Sequence, residues 1–201
     1  MFSVRAFIFV GCGWLSLLSA ATASDSPPGF TVCTDYHCDQ TVNVKLENSQ
    51  WQQIARMFRA RTHPELERAL IARAVALLEQ YIGEQAGTSG DFAKNIMGAG
   101  LPGQLDCISE SMNTTAYLNA LMNAGLMRWH TVENRARRSS WIFNVHWTAV
   151  IKDQSTIQEF AVDSWFLANG RAPYVQALDA WFDNAPLPQN PDAGEQGTSA
   201  M

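Results

Sequence analysis

The sequence predicts an α+β domain, and three observations predict it. Apolar residues recur at helical spacing between residues 49 and 81. A further helical pattern starts at a cysteine, Cys107. Beyond it, two strand-like stretches flank a short polar turn, the sign of an antiparallel hairpin. Helices grouped ahead of an antiparallel sheet define α+β, whereas strict alternation of helix and strand would give a parallel sheet.

The elements follow in order. Residues 24–47 form an N-terminal leader, polar and proline-bearing at 24–29, with alternating Val42, Val44 and Leu46 marking a short strand at 41–46. A first helix opens at Asn48 or Ser49, either a good N-cap, and places Trp51, Ile54, Ala55 and Phe58 on one face. Thr62-His63-Pro64-Glu65 reads as a capping box with proline in the first turn. It opens a second helix with Leu66, Leu70, Ala74, Leu77 and Tyr81 on the buried side, stopped by Gly83 or Gly87. Residues 87–103 are a loop with one short helical turn at 92–97. The third helix spans 107–123, with Ile108, Met112, Thr115, Ala116, Leu121 and Met122 apolar and Asn123-Ala124-Gly125 as its stop. A strand at 129–133 precedes a basic turn at 134–140 that carries Arg135, Arg137 and Arg138. Residues 141–152 are aromatic and β-branched on both faces, which marks a central strand. A turn at 153–156 leads to a returning strand at 157–164. A final amphipathic helix at 172–182 carries Val175, Leu178 and Phe182, and the proline- and glycine-rich residues 185–201 read as a disordered tail.

Composition limits the function. The 201 residues carry a net charge of −5 and are 47% hydrophobic, enough apolar surface for one core. The acidic balance argues against nucleic acid as a partner. Residues 1–23 read as a cleavable signal peptide: Arg5, an apolar run over 6–18, then Ala21-Thr22-Ala23. The run is interrupted by Gly11, Gly13 and Ser16, so membrane insertion after cleavage is not expected, and the mature protein is expected to be soluble, in the periplasm or secreted. An uncleaved anchor is the alternative. A lipoprotein reading through Cys12 fails on Phe9 at the position where Leu is wanted. Export sorts the four thiols. Cys12 leaves with the signal, and Cys33 and Cys38 meet an oxidising compartment where a local disulfide is the default. A metal site at Cys33, His37 and Cys38 would lack a fourth ligand. Cys107 is left unpaired.

An unpaired thiol at a helix start sees backbone N–H groups and the positive end of the dipole, which favour the nucleophilic thiolate. Asp106 beside it opposes this unless its carboxylate turns away to cap the helix or bind a metal. The hairpin supplies partners. A turn at 153–156 pairs Lys152 with Ile157, and that register sets His146 directly opposite Asp163 on the same face. A carboxylate there holds the imidazole in one tautomer and stabilises its charged form. Cys107, His146 and Asp163 thus read as a nucleophile with an oriented base. Singly, each residue has a bland alternative: core cysteine, sheet histidine, strand-end aspartate. Trp141, Trp147 and Trp165 are core residues or the walls of a cleft.

Gln104-Leu-Asp-Cys107 with Glu110 and an amphipathic helix after it resembles the nucleophile helix of the transglutaminase-like superfamily. Asn144-Val-His146-Trp-Thr-Ala-Val-Ile resembles its histidine strand, and Phe160-Ala-Val-Asp163-Ser-Trp its aspartate strand. The spacings of 39 and 17 residues resemble those of bacterial transglutaminase-like cysteine proteinases, including periplasmic adhesin-cleaving proteases, over residues 48–182. The resemblance implies a papain-like catalytic domain at 48–184. In it Cys107 is the nucleophile, His146 the general base and then acid, and Asp163 the orienter, with acyl transfer through a thioester. Gln104 and the Cys107 backbone N–H are offered as oxyanion donors, each such donor being worth roughly 3 kcal/mol. The expected substrate is a protein or peptide of the cell envelope. An amine-accepting transferase and a non-catalytic peptide-binding module are the rivals. No cofactor is expected. Calcium has only Asp106 and Glu110 as candidates, because Ile108 and Ser109 stand where calcium-binding relatives carry acids after the cysteine.

Overall fold

A computed structural model describes residues 26–139 and 145–189. The signal segment, Cys12, Trp141, Asn144 and the end of the tail lie outside the described residues. Among those described, no helix is long and apolar enough to cross a membrane.

Strand β1 (Gly29–Cys33) pairs antiparallel with β2 (Thr41–Lys45), Val32 opposite Val42. The sequence reading had only the second of these, because β1 is short and has a single apolar run. A disulfide joins Cys33 and Cys38 across the connecting loop.

Helix α1 (Asn48–Met57) begins one residue earlier than expected, capped by Glu47 and not by Asn48 or Ser49. The Glu47 carboxylate accepts from the Gln50 backbone, and the Gln50 side chain accepts from the Glu47 N–H at 2.9 Å, a reciprocal box. Helix α2 (Pro64–Ala86) is capped by His63, whose Nδ1 accepts from Leu66 N–H, so the cap stands one residue beyond Thr62. It ends at Gly87 with φ 78°, a left-handed cap that glycine adopts without a Cβ clash. Its 23 residues are buried on more than one side: Leu70 and Ala74 are core as expected, joined by Ile71, Val75, Leu78 and Ile82, while Leu66, Leu77 and Tyr81 sit at the margin.

The helical turn expected at 92–97 is absent; the segment is a series of turns. Lys94 has φ 54°, which no right-handed helix accommodates, and its N–H donates to Trp165 O at 2.8 Å, tying the loop to the turn around Trp165. Helix α3 (Cys107–Asn123) spans the predicted residues and ends where Gly125 (φ 69°) and a Leu126-to-Leu121 bond close its last turn.

The four-stranded antiparallel sheet runs β3 (His130–Ser139), β4 (Val145–Asp153), β5 (Glu159–Asp163), β6 (Tyr174–Ala177) in spatial order. Two expectations are corrected here. The basic turn at 134–140 lies largely within β3, as its second half after a bulge between Glu133 and Ala136. Two of its three arginines lie over aromatic rings: Arg135 is 4.8 Å from the Trp147 centroid and Arg138 4.3 Å from that of Trp181. The helix expected at 172–182 is instead β6 followed by the five-residue α4 (Leu178–Phe182). Pro173 disfavours helix for Ala172, and Val175 pairs with Val162.

The hairpin register differs as well. Lys152 pairs with Glu159 and Ala149 with Val162, so the connection is five residues, 154–158. Asp153 builds it: Oδ1 accepts from Ser155 N–H and O–H, Asp153 N–H donates to Gln158 O, and Ile157 turns back with φ 63°. The displacement is two residues, which preserves the face on which each side chain points.

The core joins α1, α2 and α3 to the inner face of the sheet through Trp51, Phe58, Leu78, Leu118, Ile151 and Val162. A buried ionic anchor holds the start of β3. The Glu67 carboxylate accepts from the N–H groups of Arg128, Trp129 and His130 and from His130 Nδ1. Burial opposes its charge, but these donors outweigh burial and hold Glu67 below the usual carboxylate range.

Candidate active site

Cys107 is the first residue of α3, half-buried and unpaired. Asp106 caps the helix: Oδ1 accepts from Ser109 N–H at 2.9 Å, while Oδ2 turns outward to His37, accepting its backbone N–H at 3.2 Å and lying 3.0 Å from its Nδ1. Its carboxylate therefore completes the helix end, one of the two ways in which it was expected to turn from the thiol. The Cys107 sulfur lies 3.7 Å from Val145 O, at the start of β4.

His146, the next residue on β4, is buried, as is Asp163 at the end of β5. Carried along the strands, the observed register sets Trp165 across from His146, so Asp163 is its diagonal neighbour and not its direct opposite. The two still meet, because a shift of two residues keeps them on one face. His146 Nε2 donates to Asp163 Oδ2 at 2.7 Å. Nδ1 is the ring nitrogen left for the thiol.

Burial disfavours charge on the imidazole, but hydrogen bonds with Asp163 and then Cys107 outweigh it and raise the His146 pKa to about 9. Three aromatic rings surround it, with centroids 5.0 Å (Trp165), 5.2 Å (Phe166) and 5.7 Å (Trp181) away. The Trp181 indole also donates to Asp163 Oδ2 at 2.8 Å, so one carboxylate oxygen takes two donors while Oδ1 is buried without a partner among the described residues. Helix α4 is too short to add much core, and it delivers this ring.

A cavity of about 650 Å³ opens onto Cys107 and His146. Tyr36, His37, Asn95, Arg138, Trp165 and Phe166 are among its lining residues. Of the three tryptophans considered as walls, Trp165 lines the cavity, Trp147 lies under Arg135, and Trp141 falls outside the described residues.

Gln104 is not among the cavity-lining residues. It is buried, its Oε1 accepting from Asn95 Nδ2 and Phe92 N–H and its Nε2 donating to Gly90 O, so it braces the 90–95 loop. Glu110 is buried, and burial, then the charges of Glu79 and Asp91, raise its pKa well above the usual range. Asp106 is thus engaged with His37 and Ser109, while Glu110 lies in the interior near Glu79 and Asp91. No group of three or more His, Cys, Asp or Glu side chains among the described residues is placed to hold a metal ion.

Sequence reasoning missed Tyr36, His37 and Arg138 as cavity residues beside the thiol, and Trp181 as a partner of Asp163. The first two carried a usable signal, since they stand between two paired cysteines. The arginine was visible only as part of a charge run, and Trp181 was hidden in an expected helix.

The chain is an α+β protein whose buried His–Asp pair adjoins a cysteine at a helix start. Compared with known proteins, it matches no family model, no curated protein and no solved structure.

Proposed function

We propose that the chain is a thiol hydrolase of the transglutaminase-like, papain-like type, a peptidase or amidase that acts on a protein or peptide after export to the periplasm or beyond. The observation that carries the reading is the His146 imidazole, bonded at Nε2 to Asp163 and lining one cavity with the Cys107 thiol. The thiol proton passes to His146 as Cys107 Sγ attacks the substrate carbonyl carbon. The C–N bond breaks, His146 gives its proton to the leaving amine, and a thioester remains. Water then attacks the thioester, His146 takes its proton, and the carboxylic acid leaves as the thiol is restored. Asp163 keeps the ring in the tautomer that this cycle needs. The Cys107 backbone N–H, unsatisfied at the first turn of α3, supplies an oxyanion donor. Gln104 acts one step removed, by holding the loop that carries Asn95.

The test compares envelope proteins from cells carrying the wild-type chain or Cys107→Ala by mass spectrometry. New protein termini that depend on Cys107 support hydrolysis. Crosslinks or incorporated primary amines in their place would identify a transferase on the same triad. Unchanged in-cell activity in Cys107→Ala would overturn the enzyme reading and leave the peptide-binding module.

A further inference from the structure

The cleft holds a second imidazole. His37 lies in the loop closed by the Cys33–Cys38 disulfide, lines the same cavity as Cys107 and is 64% exposed at its side chain, so core packing does not explain its position. Its backbone is in the left-handed region (φ 59°), as is that of Cys38 (φ 59°). Non-glycine residues persist there only when the surroundings over-determine them, and such residues cluster at functional sites. The surroundings here are specific. The disulfide closes the loop, Cys38 N–H donates to Ser109 Oγ at 2.9 Å, Ser109 Oγ donates to Asp35 O at 2.6 Å, and His37 N–H donates to Asp106 Oδ2. Two of these partners, Asp106 and Ser109, belong to the first turn of the nucleophile helix, so the loop and the thiol are positioned as one unit.

The ring is oriented too. Nδ1 lies 3.0 Å from Asp106 Oδ2, and a carboxylate oxygen only accepts, so the proton of the neutral imidazole sits on Nδ1 and Nε2 is an acceptor. Nε2 has no partner among the described residues. Tyr36, the other side chain of this loop on the cavity, has its hydroxyl engaged by Asn95 and Gly98. We propose that His37 is a substrate-contacting residue, whose Nε2 accepts a hydrogen bond from a backbone N–H of an extended peptide lying across Cys107. The proposal rests on the thiol-hydrolase reading above. It defines the substrate class as a peptide with a free amide N–H beside the reacting carbonyl.

The test measures how fast Cys107 is alkylated by an N-acetylated dipeptidyl chloromethyl ketone and by its analogue N-methylated at the amide next to the ketone. Both probes are applied to the wild type and to His37→Asn. Asparagine tolerates the left-handed backbone, so the loop is kept while the long-reaching acceptor is lost. Iodoacetamide, too small to span the cleft, reports the thiol alone. In the wild type the N–H probe should react roughly 3–10-fold faster than the N-methyl probe, the worth of one hydrogen bond. In His37→Asn that ratio should fall below about two-fold, with the iodoacetamide rate unchanged. An equal N-methyl penalty in both proteins overturns the role of His37. A separate result, iodoacetamide modifying Cys107 no faster in the wild type than in His146→Ala, overturns the thiol-hydrolase reading instead.

Discussion

Replacing Asp163 with Asn keeps the size of the side chain and removes the charge that His146 leans on. The imidazole is buried, which alone would lower its pKa below the usual 6.5; with Asp163 and Cys107 in place it stands at about 9. Each pKa unit corresponds to about 1.4 kcal/mol, so the shift is worth roughly 3 kcal/mol of folding free energy. A histidine raised in the folded state contributes that stability in full below pH 6.5 and loses it as pH rises through 9. In the wild type, urea unfolding at pH 6 and at pH 9.5 should therefore differ by about 3 kcal/mol from this group. In Asp163→Asn that difference should vanish, because burial remains and the leading support is gone. Other titrating groups, Glu79 among them, act in both proteins and cancel in the comparison. Histidine side-chain NMR gives the direct reading: a His146 midpoint near 9 should fall to 6.5 or lower. A midpoint that stays above 8 in Asp163→Asn would refute the assignment of Asp163 as the main support of the imidazolium.

Glu79 is buried, and burial raises its pKa to about 8, so the folded protein loses stability as pH climbs from 4.5 through 8. Glu79→Gln should flatten that decline and raise Tm at pH 9 by at least about 4 °C, with little change at pH 4, followed by circular dichroism melts. Trp181→Phe keeps a ring beside His146 but removes the indole N–H from Asp163; urea titration should show a loss of about 1.5–3 kcal/mol, the cost of a lost bond to a buried charge. The Cys33→Ser, Cys38→Ser double variant opens a short loop whose closure is worth about 2 kcal/mol, measurable as a lower urea midpoint.

How much of this was legible depended on whether the signal was local. The limits of α3 could be read to the residue because Asp106 caps it and Gly125 ends it, both chain neighbours. The His146–Asp163 meeting was legible for a subtler reason. Face depends on whether a register is odd or even, so an error of two residues in the turn left the conclusion standing. The bond itself became diagonal, and only Asp153, through its grip on Ser155, set the true loop length. Arg135 and Arg138 were misread as a turn because charge suggests solvent, whereas here each guanidinium lies over an aromatic ring supplied by a distant segment. Residues 172–182 carry apolar spacing that fits a helix, and β5 overrides it by offering an edge to pair with. The approach of His37 to Asp106 spans 69 residues of sequence, and no pattern along the chain encodes it.

The disulfide that closes the His37 loop gives maturation an order. Cys107, His146 and Asp163 come from α3, β4 and β5, elements that assemble by hydrophobic collapse and strand pairing. The loop that brings His37 to the cavity is closed by a covalent bond as well. A newly made chain held in a reducing environment would carry these three side chains with the His37 loop unfastened. Oxidation then fastens the His37 loop, and where the two thiols first pair determines where that loop is first closed.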